Sequence, residues 1–152
     1  MSEIINKQIE PQRILSVTKQ STMKEFMSLF DEWYPKMWGH IAQAGAQMAG
    51  APLCIYHDFS ESNVVLELGM PLASDVEPSG DMVMDTIPAG TAAYLKYTGP
   101  YTGLQAAWMQ MREHVGSLEK QPKGPCWEVY VTDPRTEPDP SKYITEIYWL
   151  VE

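Results

Sequence analysis

Only two cysteines occur in this chain, Cys54 and Cys126, and neither lies in a Cys-x-x-Cys or comparable spacing. That excludes a disulfide framework and a thiolate metal centre, and it fits reduced thiols in a cytoplasmic setting. Histidine is as sparse. His40, His57 and His114 fall on separate segments without ligand-type spacing, so no metal and no cofactor is expected. Basic residues number 11 against 20 acidic ones, a formal net charge of −9, and they are nowhere clustered. Such a chain lacks the positive stripe that phosphate backbones require, which excludes nucleic acid as an expected partner. No apolar run approaches the ~20 residues of a membrane span, and the opening "MSEIINKQIEPQ" lacks the basic-then-apolar order of a secretory leader. The expectation is a cytoplasmic protein without membrane association. Its acidity would draw cationic small molecules or basic protein surfaces.

What the chain does have is apolar residues in periodic order. At 152 residues, with 44% hydrophobic and 20% charged positions, it suits one domain over 1–152 with a core that needs no staples. Residues 9–19 read as a strand. Thr22 followed by Glu25 has capping-box spacing and predicts a helix start. Met23, Phe26, Met27, Phe30, Trp33, Tyr34, Met37 and Ile41 then recur at helical spacing, with Pro35 expected to kink or split the helix. Two strands, 52–58 and 64–72, follow around the polar turn "FSESN". Residues 73–81 form a loop.

The order then recurs. Residues 85–99 are extended, and a helix after Pro100 carries the stripe Leu104, Ala107, Trp108, Met111, Val115 and Leu118. Strands "CWEVYVT" (126–132) and "YITEIYWLV" (143–151) close the chain. Gly50–Tyr56 aligns with Gly124–Tyr130, and Glu67 with Glu146. The expected fold is α+β: two β-α-β-β modules, about 9–72 and 85–151, duplicated and joined into one antiparallel sheet. Two main helices would cover one face and leave a ligand trough between the halves.

Alternation along the two closing strands separates an apolar set from a polar one. Trp127, Val129, Val131, Ile147, Trp149 and Val151 form the expected helix-covered face. Glu128, Tyr130, Glu146 and Tyr148 are then expected together on the opposite face, a carboxylate pair walled by phenol rings. Cys54, Tyr56, Glu67 and Gly69 hold the equivalent places in the first module. Neighbouring carboxylates sheltered from water favour a flat, delocalised cation that stacks on the rings. A perturbed carboxyl can equally serve as a general acid or base. Cys126 reads as a packed thiol, and ten methionines suit either a core or an adaptable pocket.

The recurring module plan, "YTGPY" (97–101), "CWEVYVTDP" (126–134) and "TEIYWLV" (145–151) resemble the GyrI-like small-molecule-binding domain. This is the effector-binding module of AraC-type and MerR-type multidrug regulators. The likeness runs from about residue 10 to the end. It implies binding of bulky aromatic or cationic compounds, with Glu128 as the central acid and Glu146, Tyr148 and Tyr101 beside it. Trp38 and Trp108 are implied as helix-borne walls, with Tyr56 and Glu67 from the first module. One departure is Leu150, where the family commonly has proline after the tryptophan. Some members hydrolyse cyclopropane-containing compounds, which leaves open a hydrolase using Glu128 and Tyr130. A gyrase-inhibitor-like module with a protein partner is a third reading.

Overall fold

The computed structural model describes residues 3–60, 62–117 and 124–151. The chain forms two compact units, residues 11–88 and residues 1–10 with 89–152. Among the described residues there are eight strands, all paired antiparallel, and two α-helices. The fold is α+β. Among the described residues no helix is long and apolar enough to cross a membrane.

The first strand, β1 (Ile4–Ile9), belongs to the second unit; the sequence reading missed it because only Ile4, Ile5 and Ile9 are apolar. The first unit runs β2 (Gln12–Ser21), α1 (Met27–Gln43), β3 (Leu53–Phe59), β4 (Val64–Pro71) and β5 (Val83–Ile87). Its strands lie in the order β3-β4-β2-β5. A turn occupies the place of the expected helix start: the Glu25 and Phe26 amides donate to the Thr22 carbonyl, and α1 begins at Met27 without a side-chain cap. Glu25 therefore closes no capping box. Pro35 neither ends nor splits α1; it lies on the exposed side of the helix, where water can reach the Asp31 carbonyl that its missing N–H cannot pair. Helix α1 buries Met37 and Ile41 over β2 and β4. Beneath it lie Leu15, Val17, Leu66, Leu68, Cys54 and Tyr56, a face marked by Lys19, whose ammonium lies 4.7 Å from the Trp33 ring centre.

The second unit adds β6 (Gly90–Thr98), α2 (Leu104–Ser117), β7 (Cys126–Tyr130) and β8 (Ile144–Leu150) to β1, in the order β1-β6-β8-β7. The expected stripe of α2 is confirmed where described: Ala107, Met111 and Val115 are buried against Ala93, Leu95, Ile147 and Val151, with Leu104 and Trp108 packed beside them. Leu118 lies outside the described residues.

Register overturns one expectation. Glu128 stands opposite Ile147, and Trp127 opposite Tyr148. Directly opposed residues share a face, so Glu128 and Tyr130 lie with Ile147 and Trp149 beneath α2. Glu146 and Tyr148 lie on the other face with Trp127, whose ring stacks on Tyr148 at 5.1 Å. The four polar groups do not converge. Each strand's alternation is real, but the pairing sets odd positions of β7 against even positions of β8. A one-residue phase inverts every side chain of one strand relative to the other. Val131, expected in the core, is 47% exposed. The first unit splits likewise: Cys54 and Tyr56 pair with Leu68 and Leu66, while Glu67 pairs with Ile55 on the face away from α1.

Candidate functional site

Glu128 is the residue around which the second unit's polar chemistry gathers. It is 3% exposed, in the middle of β7 and under α2. Its Oε2 accepts the indole N–H of Trp108 at 2.6 Å, and its Oε1 accepts the Tyr130 hydroxyl at 2.7 Å. Both of these donors are neutral, so these two bonds satisfy lone pairs without themselves cancelling charge. Trp108 reaches it because α2 carries Ala107, Met111 and Val115 inward, which brings Trp108 to the edge of the same stripe.

Aromatic rings continue the site. Tyr101 meets Tyr130 edge-on at 6.0 Å and Tyr143 at 5.2 Å, while Trp108 meets Trp149 at 6.4 Å. Burial first, then the neighbouring Tyr143 and the charges of Asp133 and Glu128, hold the Tyr101 hydroxyl above its usual range. Tyr101 opens a short 3-10 turn, Tyr101–Gly103, ahead of α2. That turn is pinned by Tyr97, whose hydroxyl donates to the Pro100 carbonyl at 2.7 Å. A Cβ on Gly103 would lie 2.0 Å from the same hydroxyl, so any larger residue there must displace the Tyr97 side chain.

Two further residues complete the surroundings. Burial, together with the Glu128 charge, pushes the Cys126 thiol up to about 11, which keeps it protonated and unreactive. Thr145 is fully buried, paired in register with Tyr97 on one side and Tyr130 on the other, and its Oγ1 has no hydrogen-bond partner among the described residues. Neither Thr145 nor Tyr143 was among the sequence candidates. A threonine and a tyrosine at strand positions carry no chemical signature until the register is known.

The other candidates lie elsewhere. Glu146 accepts the Tyr94 hydroxyl at 2.5 Å on the face away from α2, and Tyr148 shares that face. In the first unit, Trp38 is 48% exposed on α1, and Tyr56 meets Phe59 edge-on at 5.5 Å. Glu67 is 3% exposed; its Oε2 accepts the Ser16 hydroxyl at 2.6 Å and its Oε1 lies 2.9 Å from His57 Nε2. A bulge between Tyr56 and Asp58 takes His57 out of the pairing and lets it reach Glu67. Burial, then a hydrogen bond with Asp85, raises the Glu67 pKa, and the same bond lowers that of Asp85. Among the described residues no group of three or more His, Cys, Asp or Glu is arranged to hold a metal ion.

A buried carboxylate that accepts from Trp108 and Tyr130 and is ringed by tyrosine and tryptophan is suited to a ligand with delocalised positive charge and flat apolar surface. Comparisons with known proteins bear on that reading. The family model of the GyrI-like small molecule binding domain matches residues 2–152. No curated protein sequence matches the chain. The C-terminal domain of EcmrR superposes with a TM-score of 0.88 at 21% identity, covering 100% of this chain and 98% of that one. In the EcmrR–DNA complex the TM-score is again 0.88 at 21% identity, and the match covers 99% of this chain but 57% of the longer protein. SAV2435 bound to tetraphenylphosphonium gives 0.67 at 12% identity, covering 99% and 94%. A hydrolase from Listeria innocua gives 0.64 at 11%, covering 99% and 92%. At these identities the structural likeness is one of fold. The family model spans nearly every residue, and the chain belongs to the GyrI-like small molecule binding domain family.

Proposed function

We propose that this chain binds bulky aromatic cations at Glu128. The observation that carries the reading is the buried carboxylate whose oxygens accept from the neutral donors Trp108 and Tyr130. A cation entering beside it is attracted to the carboxylate, and Tyr101, Tyr130 and Trp108 supply ring faces. The hydroxyl of Thr145 is a further polar contact for a ligand or a bridging water. The bound tetraphenylphosphonium of SAV2435 supports the ligand class, being a bulky aromatic cation. The acidic composition supports a small molecule over nucleic acid. Glu146 and Tyr148 are removed from this site, because they face the other way. The matching order strand, helix, hairpin in the two units supports a duplicated module.

Thermal denaturation tests the reading. Tetraphenylphosphonium at a hundred times its Kd should stabilise the chain by about 2.7 kcal/mol, a Tm rise of roughly 5–11 °C at this size. In Glu128→Gln the shape is kept and the charge removed, so most of that rise should vanish, while a neutral analogue such as triphenylphosphine oxide should be little affected. Equal stabilisation of both proteins by the cation would defeat the anchor assignment.

A hydrolase reading uses the same pair. Tyr130 donating to Glu128 is an arrangement that can orient water against an electrophilic, cyclopropane-bearing substrate. Mass analysis of the ligand after long incubation separates the two readings, since a binder returns the compound unchanged.

A further inference from the structure

The face of the second unit away from α2 carries a cross-strand row of its own. Ile5 of β1 stands opposite Tyr94 of β6, Tyr94 opposite Tyr148 of β8, and Tyr148 opposite Trp127 of β7. The Tyr94 and Tyr148 rings are 5.0 Å apart and tilted by 59°, so they form two walls rather than a stack. Lys7, exposed on the edge strand β1, bends over them. Its ammonium lies 4.6 Å from the Tyr94 centroid and 5.8 Å from that of Tyr148.

Charge pairing does not explain that position. Among the described residues no carboxylate lies within ion-pair distance of the Lys7 ammonium. The rings hold it through their quadrupoles, and Glu146, on the same sheet face, accepts from the Tyr94 hydroxyl. Both phenols stay neutral: burial raises the Tyr148 hydroxyl to about 12, and burial and Glu146 raise that of Tyr94 further. Lysine is an imperfect occupant, because its compact ammonium is strongly hydrated and its flexible stem must be ordered to reach the rings. An exposed contact of this kind favours occupancy only about two- to fivefold.

We propose that Tyr94, Tyr148 and Glu146 form a second cation site, for compact alkylammonium ligands, in which Lys7 is the resident that such a ligand displaces. A methylated ammonium spreads its charge over carbon and loses less hydration on meeting a ring face than Lys7 does. This site lies on the opposite sheet face from Glu128 and shares no residue with it. It would recognise small cations that the Glu128 site, with its larger ring surround, is not shaped to distinguish.

Tetramethylammonium chloride titrated into the full chain, against sodium chloride at equal ionic strength, tests the proposal through the ring resonances of assigned tyrosines. In the wild type the Tyr94 and Tyr148 rings should shift and saturate only at high concentration. In Lys7→Gln the half-saturation point should fall about fivefold. Replacing either ring in that background, Tyr94→Leu or Tyr148→Leu, should abolish saturation, and Glu128→Gln should leave it unchanged. Half-saturation in Lys7→Gln within twofold of the wild type would overturn the proposal. So would perturbation confined to Tyr101 and Tyr130, or loss of the effect in Glu128→Gln. Failure of the aromatic-cation reading at Glu128 leaves these outcomes untouched.

Discussion

Glu67 shows how one buried carboxyl makes a fold sensitive to pH. Burial and the bond to Asp85 raise its pKa, so between its unfolded and folded pKa the folded chain binds more of a proton there than the unfolded chain does. The sign follows from linkage. Glu67 contributes stability that is complete below its unfolded pKa and is lost as pH rises through the folded value. Asp85, held low by the same bond, contributes stability present above its unfolded pKa and lost as pH falls through its folded value. Loss as pH rises above the ordinary glutamate range is therefore assigned to Glu67, and loss as pH falls to Asp85. Glu67→Gln keeps a donor toward Asp85 and removes the ionisation. It should raise stability at neutral pH by about 1 kcal/mol, or about 2–4 °C in Tm. Melting curves taken over rising pH check this: the wild type should decline as pH rises above the ordinary glutamate range, while the variant should lack that decline. A parallel decline in both would assign the effect to another group. His57 faces the same carboxyl, and its position 2.9 Å from Oε1 favours whichever state leaves Glu67 accepting. Nothing in the sequence marks Ser16 or Asp85 as partners of Glu67. Their meeting depends on the pairing of three strands.

At the scale of elements, the turn ahead of α2 is where sequence most directly dictates site geometry. Gly103 has no room for a methyl group because the Tyr97 hydroxyl occupies that space, 2.0 Å from an ideal Cβ. Gly103→Ala should force Tyr97 from its bond to Pro100 and cost about 1–3 kcal/mol. Urea denaturation measures the loss, and weakened tetraphenylphosphonium binding would show that the turn positions Tyr101. Unchanged stability would mean that Tyr97 moves at no cost. The elements themselves were largely legible. Periodicity located both helices and the hairpin strands, because alternation and the 3.6-residue stripe are properties of single segments. Phase between segments was not legible. Trp127 and Ile147 both read as core residues, and both are, yet on opposite faces, because neighbouring strands can bury different sides when both faces are covered. The same phase moved Glu128 beneath α2 and left Glu146 and Tyr148 behind. Glu128 could still be picked out, since a carboxylate flanked by apolar positions is conspicuous in any phase. Trp108 as its donor could be suggested only by helix position.

For the whole molecule, a net charge of −9 and one buried carboxylate act on a cation at different moments. The summed field reaches into solvent and raises the encounter rate, whereas Glu128 acts only once the ligand has lost its water. Added salt screens the first, with a Debye length shrinking from about 20 Å to about 6 Å between roughly 20 mM and 300 mM. It screens the second far less, because Glu128 is buried. Stopped-flow measurement with a fluorescent aromatic cation should therefore separate them. In the wild type and in Glu128→Gln alike, the association rate should fall several-fold across that salt range. The dissociation rate should be nearly salt-independent in each, and about tenfold or more faster in the variant. If salt instead accelerates dissociation while leaving association unchanged, the cation is held by exposed charge at the surface. The buried carboxylate would then be part of the fold's internal hydrogen bonding alone, and the assignment of Glu128 as the ligand's counterion would fail together with it.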